Sequence, residues 1–156
     1  RTRRQQYAGQ ADYGAIARVR ERLRLPVIAN GAVFEPGGAP RILAETGCAG
    51  LMIGRGAVGN PWLFRTARQC LRGERVARET LGERVDTALL HMDWMIEQKG
   101  ERLGVMEMRT HIGHYIGGIR GASALRRDMN NARTRTEMRA LLGKLLETAR
   151  GGEERE

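Results

Sequence analysis

Two glycine-bearing turns carry the residue types best suited to holding an anion: Asn30-Gly31 and Gly54-Arg55-Gly56. Glycine lets a bound group approach the backbone closely, and an N–H left unpaired at such a turn can donate to a phosphate oxygen. The N–H groups of Gly31, Gly54 and Arg55, with the Arg55 guanidinium, would make one such seat. Glycine at a strand end also simply makes a turn, so either site alone carries little. Two at matched positions, one beside an arginine, favour a phosphate site, although the spacing leaves the phosphate compound open.

The second stretch with chemical potential is 107–139, which holds seven arginines against three acidic residues. Arg109, Arg120, Arg126, Arg127, Arg133 and Arg135 fall there, with His111, His114 and Tyr115 interleaved. Such a cluster could neutralise several RNA phosphates, with an affinity that falls steeply as salt rises. A solvated helical face would have the same composition. His111 and His114 stand three apart, which suits metal ligation on a helix, but no cysteine or carboxylate cluster supports it. They are taken as surface or phosphate-contact residues, and no metal is expected. Cys48 and Cys70 are too few and too far apart for a metal or redox motif, and they read as reduced structural thiols of a cytosolic protein. There is no nucleophile elbow, P-loop or zinc spacing, so no catalytic constellation is visible. The seven methionines fall largely on helical apolar faces and are expected in the core.

The elements that position these residues follow from periodicity. Asp12 is placed to cap a helix carrying Tyr13, Ile16, Val19 and Leu23, which Pro26 stops. Residues 27–30 form a strand, 38–46 a helix ended by Gly47, and 51–53 a second strand. Asn60 and Pro61 look like the N-cap and first turn of a helix ending near Gly73, with Leu63, Phe64, Ala67 and Leu71 on its inner face. Strand, helix, strand in this order is a βαβ unit with a parallel sheet, and in a (β/α) barrel the last two strand ends are a usual phosphate seat. From about Glu79 only helices are expected, with breaks at Gly100 and Gly117-Gly118 and capping-box spacing between Thr134 and Glu137.

The predicted organisation is therefore α/β to residue 75 and all-α over 76–150, with 151–156 a disordered tail. Two parallel strands cannot cover their own faces and edges, so further strands upstream are expected. Arg1-Thr2-Arg3-Arg4 has no start methionine and looks like a cut edge. The 156 residues carry 27 basic and 18 acidic side chains, a net +9, and all the lysines are Lys99 and Lys144. Arginine's planar fork suits phosphate, which points to a polyanionic partner or else to arginine-rich codon usage. No apolar run is long enough for a membrane span.

These residues resemble a known family. Arg1-Thr2-Arg3 with Tyr7-Ala8-Gly9, then 27–31, then 53–62 (Ile-Gly-Arg-Gly-Ala-Val-Gly-Asn-Pro-Trp), are similar to the tRNA-dihydrouridine synthases. So are 108–115 and Gly121-Ala122, which resemble the family's C-terminal domain. The resemblance runs to about Leu146. It is most specific at 54–62, whereas 27–31 is shared with other flavin barrels.

The resemblance implies the C-terminal portion of a (β/α)8 TIM barrel followed by a helical bundle, in a cytoplasmic enzyme that reduces uridine in tRNA. It implies FMN as cofactor, NADPH as hydride source, and a cysteine acid that protonates uracil. Asn30, Gly31, Gly54 and Arg55 would hold the flavin phosphate. Arg1 and Arg3 would lie by the flavin or the tRNA. The basic face, represented by Arg109, His111, Tyr115, Arg120, Arg126 and Arg127, would grip the tRNA body. Neither Cys48 nor Cys70 lies in the family's cysteine motif, which belongs to the first half of the barrel, so the span alone is expected to be inactive. Ala32 stands where the family often has an acidic residue. Two other functions fit parts of the chain: a flavin barrel acting on a small molecule, and a non-catalytic helical RNA-binding module.

Overall fold

The computed structural model describes Arg4, Gly9 and residues 11–153, with side chains described to residue 149. Arg1 and Arg3 lie outside the described residues. The chain divides into two compact units, Arg1–Ala77 and Arg78–Glu156. The first is α/β and the second all helix, and among the described residues no helix is long and apolar enough to cross a membrane.

The first unit opens with α1 (Tyr13–Arg22), whose N-terminus is capped as its sequence suggests: the Asp12 carboxylate accepts from the Ala15 N–H at 2.8 Å. Strand β1 (Ile28–Asn30) leads to α2 (Gly38–Thr46), which ends on Gly47 at φ 62°, the left-handed conformation glycine adopts without penalty. Strand β2 (Gly50–Met52) then pairs with β1 in parallel, in the register Ile28↔Gly50, Ala29↔Leu51, Asn30↔Met52. The two strands thus finish level with each other. Tyr13, Ala29, Val33, Ile42, Cys48 and Leu63 form the buried core beneath them.

A 3₁₀ turn (Arg55–Ala57) and a second turn closed by the Leu63 N–H on the Asn60 carbonyl lead into α3 (Leu63–Leu71). The expected N-cap at Asn60 is corrected here: the helix starts two residues later, after that turn, and its N-cap is Trp62, which makes no side-chain cap bond. Its inner face also differs. Leu63, Thr66 and Ala67 are buried, while Phe64 and Leu71 face outward. Thr66 tolerates burial because its hydroxyl donates to the Trp62 carbonyl at 3.1 Å.

The second unit is built from α4 (Leu81–Lys99), α5 (Glu101–Tyr115), α6 (Ala122–Asn131) and α7 (Arg135–Glu153). Helix α7 runs into the stretch expected as a tail. A full capping box starts α4, with Thr80 Oγ1 accepting from the Glu83 N–H and the Glu83 carboxylate accepting from the Thr80 N–H. Helices α4 and α5 form a tight hairpin about Gly100. At Gly104 the two backbones approach so closely that a methyl group there would lie 2.7 Å from the Ile96 nitrogen. Met92, Met108, Ile112, Met129, Met138, Leu142 and Leu145 fill the core, so four of the seven methionines pack as expected, while Met52 and Met106 are exposed. Asp93 accepts a two-pronged hydrogen bond from Arg135, at 2.5 and 2.7 Å, which ties the start of α7 to α4.

Candidate functional site

The two glycine turns face each other. A cavity of about 320 Å³ opens at the C-terminal ends of β1 and β2, and its walls include Asn30, Gly31, Gly54, Arg55 and Gly56. The parallel register brings this about: with Asn30 level with Met52, the residues that follow each strand emerge side by side. Strand ends of this polarity are where α/β folds build ligand sites.

Each glycine has a distinct reason to be there. A methyl group at Gly56 would lie 2.0 Å from the Val33 carbonyl oxygen, so only glycine lets the second turn sit on the first. At Gly31 a methyl group would meet the Ala11 methyl at 2.7 Å, and the Gly31 carbonyl accepts from the Tyr13 hydroxyl at 3.3 Å. At Gly54 nothing lies within 4 Å, so its backbone borders open space. The first two glycines serve packing, and the third leaves room.

Arg55 brings positive charge to the rim, its guanidinium carbon 5.6 Å from the centre of the Phe34 ring, a cation–π distance that orients it. Ala32, on the same wall, has φ 48°, a left-handed conformation that costs a non-glycine residue about 1–2 kcal/mol. Ala11, Val33, Phe34 and Met52 complete the lining and were not foreseen, because they depend on the path of the loops rather than on any motif. The cavity is at the small end of the range for ligand pockets, suited to an anionic head group rather than a whole large ligand. Among the described residues no cluster of three or more His, Cys, Asp or Glu could hold a metal ion.

The residues of the basic stretch divide. Arg120, Arg126 and Arg127 are exposed. Tyr115 is not: it is 5% exposed, and its hydroxyl lies 3.3 Å from His91 Nδ1. His111 is half-buried, its ring 5.0 Å from that of His91. Burial, and secondarily the charge of His111, lowers the His91 pKa below its usual value, and burial raises that of Tyr115. Arg109 donates through Nε to the Ala132 carbonyl at 2.9 Å and so secures the C-terminus of α6. Tyr115 and Arg109 therefore brace the bundle, Tyr115 on the apolar spacing it shares with Val105, Met108 and Ile112. Cys48 is buried in the first core, and Cys70 lies on α3, half-buried.

The family model for dihydrouridine synthase matches residues 1–150. A probable tRNA-dihydrouridine synthase of Mycobacterium tuberculosis (strain ATCC 25618 / H37Rv) is 37% identical over 147 residues, covering 93% of this chain and 38% of that protein. The tRNA-dihydrouridine synthase B of Pseudomonas aeruginosa is 37% identical over 131 residues, with 83% and 40% covered. The probable tRNA-dihydrouridine synthase 1 of Synechocystis sp. is 36% identical over 151 residues, with 96% and 42% covered. The chain spans about two fifths of the length of these relatives.

Proposed function

This chain belongs to the dihydrouridine synthase family, and on that premise we propose that it forms the flavin-phosphate side of a TIM barrel and the RNA-binding helical unit of an enzyme that reduces uridine in tRNA to 5,6-dihydrouridine. One observation carries the proposal: Asn30, Gly31, Gly54 and Arg55 line a single cleft at the level C-terminal ends of two parallel strands. The cleft fits the phosphate of FMN, with open space before Gly54, backbone groups on two turns and a guanidinium at the rim. FMN when bound supplies hydride chemistry, with NADPH as the reductant. The residues of this chain bind and orient it by its anionic end.

The sheet supports the barrel. Parallel sheets are ordinarily covered on both faces, yet Ile28, Phe34 and Met52 are all more than half exposed around these two strands. Further strands would cover them. The resemblance assigns the proton donor to uracil to the first half of the barrel, outside this span, and on this reading residues 1–156 alone would be inactive; the burial of Cys48 in the core accords with a structural thiol. Arg120, Arg126 and Arg127 contact the tRNA, together with Arg1 and Arg3 of the N-terminal segment. Such an enzyme works in the cytoplasm, where its tRNA substrate is.

The test uses the protein expressed from the whole reading frame that encodes this chain. NADPH oxidation should depend on an unmodified tRNA transcript, and a uridine in that transcript should gain two hydrogens by mass. Flavin binding without any tRNA product would overturn the substrate and leave the cleft standing.

A further inference from the structure

Tyr13 stands behind the cleft and does not line it. It is the first residue of α1 and is buried in the core with Ala29, Val33 and Ile42. The edge of its ring comes close to the first glycine turn: a methyl group on Gly31 would lie 3.6 Å from Tyr13 Cε1. Arg41 of α2 lies over the ring, its guanidinium carbon 6.0 Å from the centre, a cation–π distance that steadies it. From this fixed ring the hydroxyl donates to the Gly31 carbonyl at 3.3 Å.

That bond orients a whole peptide group. No peptide among the described residues is cis, and in a trans peptide the carbonyl and the N–H point opposite ways. With the Gly31 carbonyl held on Tyr13, the Ala32 N–H is turned away from the buried ring, and Ala32 is part of the cavity wall. Among the described residues this N–H has no hydrogen-bond partner.

The backbone itself works against the arrangement. Ala32 is held at φ 48°, which alanine disfavours. Turning the Gly31–Ala32 peptide over would move that φ by about 180°, into the extended region that alanine adopts freely, and Gly31 tolerates the matching change in its own ψ. It would also aim the Gly31 carbonyl oxygen where the N–H now points, and a carbonyl repels an anion. A strained orientation of this kind persists where its surroundings hold it.

We propose that Tyr13 is a positioning residue for the flavin phosphate: its hydroxyl keeps the Gly31–Ala32 peptide with the N–H, and not the carbonyl, toward the anion. The inference rests on the reading of the cleft as a flavin-phosphate seat and adds to it a side chain that never touches the ligand.

The experiment measures equilibrium binding of FMN and of riboflavin to the protein expressed from the whole reading frame. Tyr13→Phe keeps the ring and removes the hydroxyl. It should weaken FMN about three- to tenfold, the worth of one neutral hydrogen bond, and leave riboflavin, which has no phosphate, as it was. Adding Ala32→Gly should restore much of the FMN affinity, because glycine holds a left-handed φ without penalty and gains nothing by turning over. Equal loss of both flavins in Tyr13→Phe, with no recovery on adding Ala32→Gly, would make Tyr13 a packing residue and overturn the proposal. Unchanged FMN affinity in Tyr13→Phe, with the preference for FMN still lost in Arg55→Ala, would overturn it and keep the seat. A wild-type protein that binds FMN and riboflavin alike would overturn both.

Discussion

One substitution made twice in the same helix should have opposite effects. Gly104 and Gly113 both lie inside α5, and alanine is about 0.8–1 kcal/mol better than glycine in a helix interior. At Gly113 nothing lies within 4 Å of the added methyl group, so Gly113→Ala should stabilise the helical unit by up to about 1 kcal/mol. At Gly104 the methyl group would sit 2.7, 2.8 and 2.9 Å from the nitrogen, Cα and Cγ1 of Ile96. Two of those atoms are backbone, so α4 itself must shift to restore ordinary carbon contacts near 3.5–4 Å. Overpacking costs about 1–3 kcal/mol, and contacts this short with backbone atoms belong to the upper half of that range, so after the propensity gain a net loss of about 1–2 kcal/mol remains. For a unit of roughly 80 residues that is a drop in Tm of several degrees. Urea unfolding followed by helical circular dichroism would read both variants. If Gly104→Ala raised the midpoint as Gly113→Ala does, the close approach of α4 and α5 would be refuted.

Acid should loosen the same unit. The His91 pKa is lowered in the fold by burial and by His111, so the unfolded chain takes up the proton first. Stability is therefore full above the unfolded value near 6.5 and declines as pH falls below it, levelling once the lowered value is passed. Urea midpoints at about pH 7.5 and about pH 5.5 should show the drop, and His91→Phe should shrink it. Gly56→Ala should destabilise the first unit by at least the 1–3 kcal/mol of ordinary overpacking, since its methyl group meets the Val33 carbonyl at 2.0 Å. Thermal unfolding of the α/β unit measures it. Thr80→Ala removes one half of the α4 capping box and should cost about 1 kcal/mol, read by the same urea series.

Local signals were the legible part of this fold. Asp12 before α1, Gly47 after α2 and Thr134-Glu137 at α7 are caps, and each is set by neighbours in sequence. Thr80 and Glu83 have the same spacing, so that start was readable too. The strands were found, the first one residue too long at its start and the second displaced by a residue, because the ladder is defined by which partner each residue meets: Gly50 belongs to β2 through Ile28, although its own type argues for a turn. Phe64 and Leu71 are apolar yet face outward on α3, and Thr66 is buried in their stead, a choice made by tertiary contacts. The cleft was legible in outline because glycine is required there by backbone approach. Its Ala11 and Phe34 walls were not, since they depend on the path of the loops, whereas the burial of Tyr115 follows the apolar spacing of Val105, Met108 and Ile112.

The central claim is that Asn30, Gly31, Gly54 and Arg55 clasp a flavin by its phosphate, and the most direct measurement compares FMN with riboflavin, which lacks it. Equilibrium binding to the protein from the whole reading frame should favour FMN strongly, and Arg55→Ala should erase most of that preference while leaving riboflavin binding as it was. Equal affinity for the two flavins, or a preference untouched by Arg55→Ala, would contradict it.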